Sequence, residues 1–248
     1  MLSRISPPRL RHALLALGVG GLLGWHASSQ AALTLSTTRI VYEGDRRGTS
    51  LIVANPGKDI FAVQAWVNTV HDDTTTAVPF VVTPHLFRLD PTKQQQVQIN
   101  GLPNELPADR ESLFYFNVQE IPQIDPAHKN VLAIALRTRI KLFYRPTALK
   151  SGPAHIQNAL KWSLVQMDGK TQLAVDNPTP YHVTFAGLRL LAKADKQNIP
   201  TVDMVAPLSR QHYTLPRRLT GPLQVEFTTL NDYGGSSPAL TLPVAGNE

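Results

Sequence analysis

The chain of 248 residues is long enough for one large domain or two of ordinary size, each with a real core. At 42% hydrophobic and 17% charged residues it lies outside the range of disordered chains, and without cysteine it has no disulfide, thiol chemistry or cysteine-bound metal. The formal charge of +6 falls to +3 when the first 31 residues are set aside, and that small surplus, with no dense basic tract, argues against a nucleic-acid partner.

Residues 1–31 read as a secretory signal peptide. Arg4, Arg9 and Arg11 form a basic start, Ala13 to Leu23 is an apolar run, and Ser29-Gln30-Ala31 offers a small-residue cleavage site. The run falls short of the roughly 20 residues of a spanning helix, so no membrane insertion is expected. Strand signals follow. Leu33 to Tyr42 ends in the turn Glu43-Gly44-Asp45, and Thr49 to Ala54 ends in Asn55-Pro56-Gly57. Ile60 to Asn68 alternates, with Phe61, Val63, Ala65 and Val67 on one side. Val78 to Val82, Gln96 to Ile99 and Ser112 to Glu120 come next, and Val131 to Tyr144 is the longest candidate, unbroken by Gly or Pro.

Arg145-Pro146 stops that strand, and Ser151-Gly152-Pro153 reads as a linker. A second series comprises Lys161 to Met167, Thr171 to Val175, His182 to Leu191, Val202 to Ala206, Gln211 to Leu215, Leu223 to Leu230 and Ala239 to Val244. Twenty prolines and fifteen glycines, spread along the chain, suit many short strands. The expectation is an all-β protein of two immunoglobulin-like β-sandwich domains, 32–150 and 151–248.

No catalytic or cofactor signature accompanies these strands. Histidines are not at metal-ligand spacing on one element, and there is no HExxH run, GxSxG elbow or glycine-rich phosphate loop. His71-Asp72-Asp73 could approach a metal, but its Thr-rich surroundings read as a solvated turn. No enzyme activity, metal or cofactor is expected.

The segment NVLAIALRTRIKLFYRP, Asn130 to Pro146, resembles the last strand of the first domain in periplasmic pilus-assembly chaperones of the chaperone–usher pathway. TTRIVYEG with Arg39, VQAWV with Trp66, DRESLFYFNVQEIP from Asp109, NPTPYHVT from Asn177 and NDYGG from Asn231 agree in the same order. The resemblance implies two immunoglobulin-like domains in an L shape with an inter-domain cleft. It also implies a mechanism: the chaperone lends a strand to a pilin subunit that lacks one, filling its groove and blocking its open edge.

By that resemblance Leu132, Ile134 and Leu136 are the groove-filling side chains, and Arg39 and Lys141 anchor the subunit's terminal carboxylate. Glu111, Arg145 and Asp232 form a charged network between the domains, and Gln64, Thr83 and Pro84 match an usher-facing surface. Alternation alone reads the strand differently, because Leu132, Ile134, Leu136, Ile140 and Leu142 share one parity and make a core row. Lys141 lies on the other parity. The short loop Ile121 to Lys129 resembles the short-loop branch of the family, while the lack of cysteine departs from members with a disulfide in the second domain. The implied partners are pilin subunits and an outer-membrane usher, the implied place is the periplasm, and an exposed apolar strand can also be capped by a second copy. The alternative is a secreted β-sandwich module binding a ligand or carbohydrate, which needs a cluster of exposed aromatics.

Overall fold

The computed structural model describes residues 33–73, 75–122, 134–149, 156–167, 169–193, 195–200, 203–217, 219 and 221–246. The expected signal peptide, Leu132 and most of the loop 121–129 lie outside the described residues. The fold is all-β: sixteen strands and one 3₁₀ turn, Ile156–Ala159, with no α-helix among the described residues.

The first sandwich holds β1 (Thr34–Leu35), β2 (Arg39–Glu43), β3 (Gly48–Ala54), β4 (Phe61–Asn68), β5 (Phe80–Thr83), β6 (Leu86–Leu89), β7 (Gln94–Gly101), β8 (Ser112–Pro122) and β9 (Arg137–Arg145). One sheet has the order β1-β3-β7-β5 and the other β2-β9-β8-β4-β6. The alternation read in β4 is realised: Phe61, Val63, Ala65 and Val67 are buried, and they meet Val53, Val97 and Ile99 from the facing sheet and Phe116 and Leu142 from their own.

The second sandwich holds β10 (Lys161–Met167), β11 (Lys170–Asn177), β12 (Phe185–Ala192), β13 (Asp195–Asn198), β14 (Ser209–Thr214), β15 (Gln224–Thr229) and β16 (Leu240–Ala245). Their order is β13-β12-β15-β16-β10-β11-β14. Strand β16 joins the two halves, antiparallel to β15 and parallel to β10. The halves close on a core in which Trp162 packs 5.6 Å from Phe185 and 5.4 Å from Phe227 between ring centres.

Two differences from the sequence reading matter for the site. The stretch expected as one strand, Leu33 to Tyr42, is two: β1 pairs with β3 in one sheet and β2 pairs with β9 in the other. At the changeover the Ser36 hydroxyl accepts from Ile52 N at 3.0 Å and the Thr37 hydroxyl donates to Arg39 O at 2.6 Å, so side chains replace ladder bonds. Of the long strand expected from Val131, residues 131–133 lie outside the described residues, and among the rest the strand begins at Arg137. Among the described residues, a further rung before Arg137 is the bond from Glu120 N to Leu136 O at 3.0 Å. Elsewhere β6 and β13 were not foreseen, and of the strand expected over Val202 to Ala206 the described residues 203–206 carry a bridge between Val183 and Val205.

Candidate functional site

Strands β2 and β9 run parallel, and their register sets Arg39 opposite Lys141, Ile40 opposite Leu142 and Glu43 opposite Arg145. Because side chains alternate, Ile40 and Leu142 enter the core while Arg39, Lys141 and Arg145 take the other face. Arg39, Phe143 and Arg145 line a cleft of about 280 Å³ whose opposite wall includes Leu230, Asp232 and Tyr233 of the second sandwich.

Arg39 is half-buried. Its Nη1 donates to Leu230 O at 3.4 Å and its guanidinium lies 5.8 Å from the centre of the Phe143 ring. Its Nε is buried and has no hydrogen-bond partner among the described residues. Burial lowers the Arg39 pKa, with Asp232 and Glu111 opposing the shift. Lys141 is also lowered, first by burial and then by the charge of Arg39, with Asp203 opposing. Two neighbouring, partly desolvated cations with an unused donor form a site that an anion would relieve.

Arg145 is 6% exposed and sits at the joint. It donates to Glu111 Oε1 from Nε at 3.0 Å and from Nη2 at 2.9 Å. It also donates to Asp232 Oδ2 from Nη1 at 2.9 Å and to Asp232 Oδ1 from Nη2 at 3.1 Å. Burial alone would lower its pKa, but the hydrogen bonds and charges of Asp232 and Glu111 outweigh burial and hold it above the usual value. Three further members were missed by sequence reasoning. Glu43 accepts from Arg145 Nη1 at 3.2 Å, Tyr181 lies under the guanidinium at 5.4 Å, and His182 donates from its backbone N to Glu111 Oε2 at 2.8 Å. Glu43 becomes legible only when the parallel register is known; Tyr181 and His182 lie in the NPTPYHVT stretch without any sign of their partner.

The row expected to fill a client groove changes character along its length. Leu142 is 0% exposed and Ile140 packs against the core, yet Leu136 and Ile134, on the same parity, are 54% and 60% exposed. The core reading therefore holds for 140 and 142 and fails for 134 and 136. Among the described residues β2 covers one edge of β9 only from Lys141 onward, while β8 covers the other from Arg137 to Tyr144. The edge over 137–140 is open, and the exposed pair lies just beyond it. Glu120, also missed, is a buried carboxylate at the root of this segment, in the apolar row Phe114, Phe116, Val118 of β8. A charged residue in such a row was visible in the sequence. Burial pushes its carboxyl up, a hydrogen bond from the Leu136 backbone opposing.

Gln64 is exposed on β4 opposite Leu86, and Thr83 and Pro84 form the crossing from β5 to β6, so the three lie at one edge of the first sandwich. In the stretch read as a possible metal turn, Asp72 accepts from Asn68 Nδ2 at 2.7 Å and Asp73 from Thr75 N at 3.0 Å. Both carboxylates are thus engaged as hydrogen-bond acceptors.

A family model described as the pili and flagellar-assembly chaperone, PapD N-terminal domain, matches residues 32–150. A second, described as the pili assembly chaperone PapD, C-terminal domain, matches residues 155–241. The chain is 37% identical over 225 residues to the probable fimbrial chaperone YadV of Escherichia coli, covering 86% of this chain and 91% of that protein. It is 37% identical over 214 residues to the chaperone protein PapD of Escherichia coli, covering 84% and 85%. The solved structure of the YadV chaperone matches with a TM-score of 0.75 at 35% identity, over 86% of this chain and all of that one. The SafB chaperone of Salmonella enterica, solved in complex with the SafA pilin, matches with a TM-score of 0.73 at 27% identity, over 88% and 98%.

Two outcomes follow from the buried charges. Arg145→Ala strands Glu111, itself 3% exposed, and is expected to cost about 3–5 kcal/mol in denaturant unfolding at pH 7. A loss within experimental error would show that the joint does not depend on this residue. For Glu120 the folded pKa is raised, so the protonated form favours the native state and the wild type loses stability as pH rises through that pKa. Glu120→Gln is therefore expected to be more stable than wild type at pH 7, with the difference vanishing below about pH 4, where the carboxyl is protonated in both states. Unfolding midpoints across that range check this, and a pH-independent difference would contradict it.

Proposed function

Because the chain belongs to the pilus-assembly chaperone family, we propose that it lends the segment ending in β9 to a pilin subunit and anchors that subunit in the cleft. It is a fimbrial chaperone by membership, spanning most of the length of its relatives. The observation that supports the reading of the site is the open edge of β9, which stops at the Arg39–Lys141 pair. A client strand laid on this edge gains backbone bonds along 134–140 and meets two cations where β2 blocks further pairing. With its carboxylate there, the client strand runs parallel to β9. Ile134 and Leu136 then fill the client's groove, each contributing up to about 1.5–3 kcal/mol, and Leu132 continues the row.

The Glu111–Arg145–Asp232 network holds the two walls of the cleft together. Delivery to an outer-membrane usher uses the edge that carries Gln64, Thr83 and Pro84, where Leu86 adds exposed apolar surface. The protein works in the periplasm by stoichiometric binding, without catalysis. Before a client arrives, a second copy can cover Ile134 and Leu136, giving a self-capped dimer. The carbohydrate-binding alternative finds no support in the tryptophans: Trp162 is core, and Trp66 lies beneath the Arg137 guanidinium at 4.9 Å.

The test is periplasmic co-expression with a pilin subunit and recovery of the complex. Hydrogen bonds to a charged group are worth about 1.5–3 kcal/mol, so Arg39→Ala and Lys141→Ala are each expected to lower recovery about tenfold or more. Recovery equal to wild type in both variants would remove the carboxylate anchor.

A further inference from the structure

Arg137 and Arg139 open β9 on the face opposite Leu136, and both are gripped by the turn that follows β4. Asp72 of that turn forms an ion pair with Arg137, whose Nη1 donates to Oδ2 at 3.1 Å while Nη2 donates to Oδ1. Arg137 Nε also donates to Asn117 Oδ1 at 3.0 Å. Asn117, 0% exposed, donates to Asn68 Oδ1 at 2.9 Å, and Asn68 donates to Asp72 Oδ1 at 2.7 Å, which closes a ring of four side chains. Arg139 donates to Thr69 O at 2.7 Å and lies 3.7 Å from the centre of the Tyr115 ring. Asp72 itself holds φ at 60°, a left-handed conformation that a non-glycine residue rarely adopts.

We propose that Asp72 is a positioning residue for client capture: by fixing Arg137 it sets where β9 becomes firm strand and the face on which Ile134 and Leu136 emerge. The inference rests on the reading of 134–136 as lent strand. Side chains alternate, so a one-residue slip of β9 would turn Ile134 and Leu136 to the opposite face and carry Lys141 away from Arg39. Among the described residues, this half of β9 has no β2 to hold register, and β8 alone provides the ladder. Above Arg137 the backbone is tied to β8 by the bond from Glu120 N to Leu136 O. The clamp stands at the junction between held and lent chain. It also gives a use to the His71-Asp72-Asp73 stretch, which the proposed anchor and groove-filling row leave unused.

The chain has no cysteine, so Ala135→Cys accepts a single nitroxide label between the two exposed apolar residues. In the labelled full-length protein, Asp72→Ala is expected to raise label mobility in the free chaperone. The same change should lower recovery of a co-expressed pilin subunit about threefold, the scale of an exposed ion pair. Arg137→Gln should do the same, and the double variant should lose no more than either single one. Asp72→Asn, which keeps shape and removes charge, serves if the alanine variant folds poorly. Leu136→Asp is the control for the underlying reading. If it captures the subunit as wild type does, the lent-strand reading fails. If it abolishes capture while Asp72→Ala and Asp72→Asn leave label mobility and recovery unchanged, or if the two single losses add, the positioning role alone is overturned.

Discussion

The cleft is defined by the place where β2 begins. Its first residue, Arg39, pairs with Lys141, and from there β2 covers β9 to Arg145. On the other side of that point β9 presents an edge unpaired among the described residues. A sheet edge left open is ordinarily an aggregation hazard. Here it is bounded at one end by two partly desolvated cations and at the other by two exposed apolar side chains. The edge and Lys141 belong to β9, the apolar pair directly precedes it, and Arg39 stands opposite on β2, so the register of β9 fixes how all of them meet.

The second sandwich completes the site. Leu230 O takes the Nη1 bond of Arg39, and Asp232 takes two bonds from Arg145. Gly234 shows how close the approach is: a Cβ there would lie 2.2 Å from the Thr38 hydroxyl oxygen, in the segment where the chain changes sheets just before Arg39. Its φ of 82° favours glycine as well. The joint is ionic, so its net contribution to stability is limited by desolvation, but removing Arg145 takes the guanidinium away from the buried Glu111. This arrangement fixes geometry more than it adds stability.

Much of the fold was legible locally. The alternation in β4, the Asn55-Pro56-Gly57 turn and the proline after Arg145 each carry a physical meaning within a few residues. The Asn55 side chain shows why that turn holds: its Nδ2 donates to Asp59 O at 2.7 Å and its Oδ1 accepts from Gly57 N at 3.0 Å. The start of β9 was not legible, because Ile134 and Leu136 continue the apolar parity of Ile140 and Leu142 although only the latter pair has a sheet to pack against. Periodicity records which side chains are apolar; it does not record where the facing sheet ends. The meeting of Arg39 with Lys141, and of Glu43 with Arg145, depends on a parallel pairing across about a hundred residues, for which no local signal exists. Motif resemblance supplied Arg39 and Lys141 as a pair; the register supplies the reason.

The most direct measurement is amide hydrogen exchange along β9 and the preceding residues, with and without a bound pilin subunit. The account predicts that free-edge amides between 134 and 140 become protected on binding, while those already bonded to β8 change little. Protection that appears elsewhere on the molecule, with the 134–140 edge exchanging as in the free protein, would contradict it.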